Sequence, residues 1–270
     1  MMFDLPFVVK ALFRLRGYEP QPVTFLRIWQ WIRQFPRDHH ENLLRLLSDV
    51  RLITRKQTLA TLLSCNEEIL RRLEKDGVGV RDVVYVEMDS AGSSSGVMLH
   101  LLRNHARLLQ RGATFVHSTS VEEVRRATQK IGRGALVYVD DFSGSGDQFI
   151  QNRGHVIQYL PNTFSEFFLT ACICEEAWLR LDAKGIVPVT GLILWKRTRP
   201  LHADSVVLDP DVRSELVQLC LQVGPAGLGY RDLATNIVLY SNAPDSTPLV
   251  LRGSVGQKPY RGVLPRYQDL

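Results

Sequence analysis

The sequence predicts an α/β fold: a parallel sheet covered by helices, with an N-terminal helical cap and a C-terminal hood. Three observations carry this. From residue 83 to residue 195, short apolar runs alternate with helix-like stretches, the pattern of strand–helix–strand units. One run, Ala135-Leu136-Val137-Tyr138-Val139, is apolar throughout, as a strand buried on both faces must be. Residues 1–78 instead repeat apolar side chains at helical spacing. At 270 residues there is room for one large α/β domain and a smaller unit. The expected division is a cap over 1–80 and an α/β domain over 81–270, with the hood at 197–270.

In the cap, Phe25, Trp29, Ile32 and Phe35 form one apolar stripe. Asp38 with Glu41 has capping-box spacing ahead of Leu43, Leu44, Leu46 and Leu47, and Thr54 with Gln57 and Ser64 with Glu67 repeat it. These signals predict several short helices, either a packed cap or a helix-turn-helix-like module. A DNA-reading helix wants clustered basic residues, and Arg51, Arg55 and Lys56 are a small group. His39 and His40 are adjacent and point different ways on a helix, so they make no metal pair.

From residue 81 the period changes. Val83 to Met88 reads as a strand, Asp89-Ser90-Ala91-Gly92-Ser93-Ser94-Ser95-Gly96 as a loop, and Val97 to Leu109 as a helix. Thr114 to Val116 is a short strand, and Ser120 caps a helix through Glu123. The central strand, 135–139, then runs into Asp140-Asp141-Phe142-Ser143-Gly144-Ser145-Gly146-Asp147-Gln148. Polar groups at the carboxyl end of such a strand sit where open α/β sheets bind ligands. A Gly-Ser-Gly turn lets backbone N–H groups approach an anion at the next helix N-terminus. The stretch therefore predicts a phosphate cradle over Ser143 to Gln148 beside two carboxylates, which suits a phosphorylated sugar or its metal ion. The 89–96 loop is a second strand–Gly/Ser–helix unit of the same kind.

Gln148 to Tyr159 is helical, Phe167 to Ile173 a strand, Glu175 to Lys184 a helix ended by Gly185, and Ile186 to Trp195 a strand. Pro188 places that last strand at a sheet edge. In the hood, Asp209 with Pro210 starts a helix through Cys220, Ile237 to Tyr240 is a strand, and 241–248 is turn-rich.

The net charge of +5 is mild and spread along the chain, which permits an anionic ligand or nucleic acid without demanding either. Cys65, Cys172, Cys174 and Cys220 lack a framework spacing and predict reduced, buried thiols in the cytoplasm. Asp4 and Lys10 within the first apolar residues argue against a signal peptide. No apolar run approaches membrane-spanning length, so no membrane partner is expected.

The central stretch resembles the type I phosphoribosyltransferase signature: an apolar strand, two acids, two variable residues, a small pair and Gly. Asp140 and Asp141 match the acids, Gly144 and Ser145 the small pair, and Gly146 the Gly. The fold resemblance covers roughly 80–196 and implies a parallel sheet of that kind. It implies that Asp140 and Asp141 meet the ribose hydroxyls, directly or through Mg²⁺, as catalytic and metal-holding residues. It gives Ser143, Gly144, Ser145, Gly146, Asp147 and Gln148 to the phosphate and ribose. Asp89, Gly92, Ser93, Ser94, Ser95 and Gly96 fall where such folds bind pyrophosphate.

A narrower match spans nearly the whole chain. Trp31, Gln34 and Phe35 with the leucine-rich helices, Ser94-Ser95-Gly96 with Leu102-Arg103-Asn104, and Asn242 to Pro248 with Pro265-Arg266 look like the phosphoribosyltransferase-like proteins of bacterial anti-phage conflict systems. Some of these are encoded beside retron reverse transcriptases. That resemblance implies a toxic effector with a ribose-phosphate or nucleotide ligand and, as partner, a reverse transcriptase–nucleic acid complex; a homo-oligomer stays open.

The sequence also departs from the signature. Gln148 stands where a hydroxyl often meets the phosphate, and Gly144 removes another. Asp147 puts a carboxylate in the loop, where at ~4 Å it would oppose a phosphate by about 1 kcal/mol in water; as a first-turn helix residue it would be favoured by the dipole. For an enzyme, breaking the ribose C1 bond needs stabilisation of a developing cation and of the leaving anion. Arg103, Arg126, Lys130 and Arg133 lie in segments that could complete the anion site. Two other readings fit parts of the chain. Tyr138-Val139-Asp140-Asp141 spells a reverse-transcriptase palm motif, but that needs a hairpin where Gly-Ser-Gly follows. A non-enzymatic nucleotide or sugar-phosphate sensor, binding nucleic acid or a partner protein through the N-terminal helices, would use the same site without chemistry.

Overall fold

The computed structural model describes residues 5–88, 94–118, 120–158, 160–254 and 260–267. In chain order its elements are α1 (Leu5–Leu15), α2 (Phe25–Ile32), α3 (His40–Ser48), β1 (Arg51–Ile53), α4 (Arg55–Lys75), β2 (Val83–Glu87), α5 (Ser94–His105), β3 (Thr114–His117), α6 (Val121–Ile131), β4 (Gly134–Ser143), α7 (Asp147–Ile157), β5 (Phe164–Cys174), α8 (Glu175–Asp182), β6 (Val187–Thr190), β7 (Ile193–Leu194), α9 (Pro210–Val223), β8 (Ile237–Leu239) and α10 (Leu249–Arg252). Among the described residues no helix is long and apolar enough to cross a membrane.

The chain divides into two compact units, one from Lys56 to Ile193 and one formed by the stretches up to Arg55 and from Leu194 onward. These boundaries differ from a division at residue 80. Helix α4 belongs with the sheet, and the 197–270 segment is grouped with the N-terminal helices.

The sheet-bearing unit is a parallel α/β layer. Its strands run in the order β3-β2-β4-β5-β6, and every pairing is parallel. Central β4 is long because it is apolar up to Val139 and polar only at its end. It starts at Gly134 because a Cβ there would stand 2.1 Å from the Asp82 carbonyl oxygen. One sheet face carries Val84, Val86, Leu136, Tyr138 and Phe168, packed with Val124, Phe149, Val156, Ala177 and Leu181 of α6, α7 and α8. The alternate residues face the other way, and there Tyr85 donates to Asn66 Oδ1 of α4 at 2.6 Å. Pro188 lies on β6, an edge of that order, as expected. The 186–195 run is two pieces, broken at Gly191, where a Cβ would meet the Thr61 side chain at 2.4 Å.

The other unit is mostly helical. Its core takes Ile28, Trp31, Ile32, Phe35, Leu43, Leu44, Leu46 and Leu47. The α2 stripe is rotated from the expected one: Phe25 is exposed, and Trp31 is buried, donating its indole N–H to the Val250 carbonyl at 2.7 Å. The Asp38 cap does not form. Asp38 lies in a 3₁₀ turn, Arg37–His39, and α3 begins after it. Ser64 caps nothing either: it is exposed within α4, a single helix of 21 residues. Strand β1, which no periodicity marks in three residues, pairs in parallel with β8, which is expected over Ile237 to Tyr240 and ends at Leu239. All four cysteines are free and buried.

Candidate functional site

Strands β2 and β4 are neighbours and parallel, so the segments that follow them leave the same edge of the sheet. The start of α5, with Ser94 to Gly96, and the loop after β4 therefore lie at one edge. The Ser94 hydroxyl, in the first turn of α5, hydrogen-bonds the Asp141 carboxylate at the end of β4. The Ser95 hydroxyl donates to the Val139 carbonyl at 2.7 Å and accepts the Met88 N–H at 2.9 Å. A palm-type hairpin is excluded, because β4 has only parallel neighbours and leads into a helix.

The acids sit at the last turns of β4, with Asp140 in register with Thr170 of β5. Successive strand residues point to opposite faces, so Asp140 leans to the α6–α8 face and Asp141 to the α4–α5 face. Asp141 is buried, and burial raises its carboxyl from 3.8 to about 6. Hydrogen bonds from Ser94, from Asp140 and from the Phe142 and Asp141 N–H groups hold the rise in check. Asp140 Oδ1 accepts the Asp141 N–H at 2.8 Å.

The loop after β4 is held by its own side chains. Gly146 adopts φ +76°, the left-handed conformation that favours glycine, and a Cβ there would lie 3.2 Å from Leu181 Cδ1 and 3.4 Å from Ala177. Ser143 and Ser145 are buried, Gly144 is half-buried and Gln148 is exposed. Asp147 is the first residue of α7, where the dipole favours a carboxylate. It also accepts from Ser145 Oγ at 2.7 Å and from Arg180 Nη1 at 2.7 Å. Arg180 donates as well to the Ser145 carbonyl at 2.7 Å. The Asp147 charge, which would oppose a phosphate, is therefore paired with the Arg180 guanidinium of α8.

Of the other turn, Asp89, Gly92 and Ser93 lie outside the described residues. Ser94, Ser95 and Gly96 form the first turn of α5, which begins three residues earlier than the periodicity predicts. Gly96 is packed on Glu87, and a Cβ there would stand 2.3 Å from Glu87 Oε1. Glu87 is buried at the end of β2 and pairs with His117 Nε2 of β3 at 3.2 Å. Met88 is fastened further: its carbonyl accepts from Ser118 Oγ at 2.9 Å and from Asn152 Nδ2 at 2.6 Å.

The basic residues named from sequence are placed elsewhere. Arg133 directly precedes β4, at the amino edge of the sheet, and donates to the Asp76 carbonyl. Lys130 ends α6 near that edge. Arg126 pairs with Glu122 on the exposed face of α6, and Arg103 lies over the Phe115 ring. The cation at the loop is Arg180, which sequence reasoning missed. Glu87 was missed too, although a charged residue closing an apolar strand was a signal.

The model of the PRTase-CE family matches residues 28–266, nearly the whole chain. The chain belongs to the PRTase-CE family. Its fold is phosphoribosyltransferase-like, in keeping with the parallel sheet and the acid pair closing its central strand. Among solved structures, a hypoxanthine-guanine phosphoribosyltransferase from Leishmania tarentolae in complex with GMP is similar over 52% of this chain and 79% of that one, at 14% identity and a TM-score of 0.34. No curated protein matches.

Proposed function

We propose that this PRTase-CE protein binds a ribose-phosphate ligand, phosphoribosyl diphosphate or a nucleotide, at the carboxyl edge of its sheet and acts at ribose C1 by transfer or hydrolysis. The observation that carries this reading is that the serine-bearing start of α5 and the Gly/Ser loop after β4 lie at the sheet edge where the acid pair ends β4, joined by the bond between Ser94 and Asp141. Breaking the C1–O or C1–N bond sends its electron pair to the leaving group and leaves positive charge on the sugar. Carboxylates beneath the ribose hydroxyls orient the ring and steady that charge. The N–H groups opening α7 face the 5′-phosphate, and Arg180 keeps the loop in place.

The donor set suits Mg²⁺. Asp140, half-buried at the end of β4, offers hard oxygens, and a magnesium ion takes one or two carboxylates and completes its shell with ligand phosphates and water. When bound, it would offset charge on the leaving pyrophosphate or nucleotide. A cytoplasmic role as a toxic anti-phage effector, acting beside a retron reverse transcriptase, belongs to the same proposal and rests on the resemblance.

The experiment is nucleotide and sugar-phosphate profiling of cells expressing the wild-type protein or the Asp140→Asn/Asp141→Asn double variant. The expected result is depletion of one ribose-phosphate or nucleotide pool by the wild type alone. Equal toxicity and equal pools with the double variant would end the proposal.

A further inference from the structure

Resting on that reading, we propose that the two acids divide the work. Asp140 is the carboxylate that meets the ribose or its cation, and Asp141 is a positioning residue that fixes the first turn of α5 to the end of β4.

Three consecutive residues of α5 are tied to the strand ends beneath them. Ser94 bonds the Asp141 carboxylate. Ser95, wholly buried, joins Met88 of the β2 end to Val139 of β4 through one hydroxyl. Gly96 gives up any side chain to sit on the buried Glu87 carboxylate, which His117 holds from the next strand. The Ser94 and Ser95 hydroxyls, which the sequence assigns to pyrophosphate, are thus engaged in holding the helix. Asp141 is 7% exposed and turned to the α5 side, whereas Asp140 is half-buried on the opposite face. Asp141 also accepts N–H bonds from its own chain, which fixes its carboxylate on the protein side. A carboxylate so placed acts on the ligand through the helix whose start it anchors.

The test is a double-mutant cycle on the full chain, read by amide hydrogen exchange without ligand and by calorimetry with phosphoribosyl diphosphate plus Mg²⁺ and with nucleoside 5′-monophosphates. Asp141→Ala and Ser94→Ala should each speed exchange at Met98 to Leu102, the first amides of α5 with partners inside the helix, by about five- to tenfold, the equivalent of one hydrogen bond. The double variant should be no faster than either single one. Asp141→Asn, which keeps the acceptor oxygen, should restore the wild-type rate. Asp140→Asn should leave that exchange unchanged while lowering affinity for the probes at least tenfold. Unaltered α5 exchange in Asp141→Ala, or effects of Asp141→Ala and Ser94→Ala that multiply, would overturn the division. If the wild type bound none of the probes, the ribose-phosphate reading would fall, and the exchange measurements would still decide the positioning role.

Discussion

Replacing Asp141 by Asn should stabilise the protein at neutral pH, although it alters the site. The carboxyl of Asp141 is lifted by burial from 3.8 to about 6, and a rise of that size corresponds to about 3 kcal/mol. Between those values the folded protein holds more protons than the unfolded chain, so stability falls as pH rises from about 4 to about 6 and is flat above. The penalty for the buried charge is complete above the folded value and absent below the unfolded one. Asparagine has no such charge. Its side-chain oxygen still accepts from Ser94, and its amide can donate to Asp140. The expected gain is up to about 3 kcal/mol near pH 8, shrinking to nothing near pH 4. Urea unfolding of both proteins at the two pH values, with a chelator present, reads it directly. Loss of stability at pH 8, or a gain equal at both pH values, would refute the claim that Asp141 is desolvated and held on the protein side.

Three further substitutions probe the elements that shape the site. Gly146→Ala forces a side chain into left-handed backbone and against Leu181 and Ala177, and should cost about 1–2 kcal/mol in urea unfolding. Arg180→Met breaks the bonds to Asp147 and the Ser145 carbonyl. The Arg180 side chain is 41% exposed, so solvent screening limits the loss to about 1 kcal/mol, and a cycle with Asp147→Asn should show coupling rather than additivity. Arg153→Met strands Glu166, which takes two bonds from Arg153 at 2.7 and 2.5 Å and one from Tyr138 at 2.8 Å. Both partners are half-buried, so about 1–3 kcal/mol should be lost, with partial recovery when Glu166 is also made apolar.

What was legible in the sequence was what repeats. An apolar run of five residues can only be a buried strand or helix segment, and the acids and glycines behind Val139 settle which, so the start of β4 was readable to within one residue, while its end runs four residues past Val139, to Ser143. The parallel order followed from the same alternation. Signals that depend on one residue were weaker. Asp38 and Ser64 carry the composition of helix caps, yet α3 starts after Asp38, with Leu43, Leu44, Leu46 and Leu47 in the core, and α4 runs through Ser64. The rotated stripe of α2 shows the same effect, since Trp31 reaches the Val250 carbonyl only when Phe25 turns outward. Strand β1 was illegible because its partner lies 186 positions on, Arg51 against Ile237, and no local period records a pairing.

The site residues show why a Gly/Ser turn is an ambiguous signal. A hydroxyl beside a strand end can face an anion or the backbone, and the sequence reads the same in either case. What decides is the number of unpaired strand-end groups within reach. At the start of α5, Met88 N–H, Val139 carbonyl and Asp141 carboxylate all need partners, and Ser94 and Ser95 supply them. At the start of α7 the strand end is paired to β5 at Phe142 and Ser143, so the loop's polar groups turn to Asp147 and Arg180 instead. The two turns look alike in sequence and differ in what the neighbouring strand leaves unsatisfied. One fastens the helix over the acid pair, and the other closes on itself at the mouth of α7, where the Asp147 N–H donates to Ser145 Oγ at 3.2 Å.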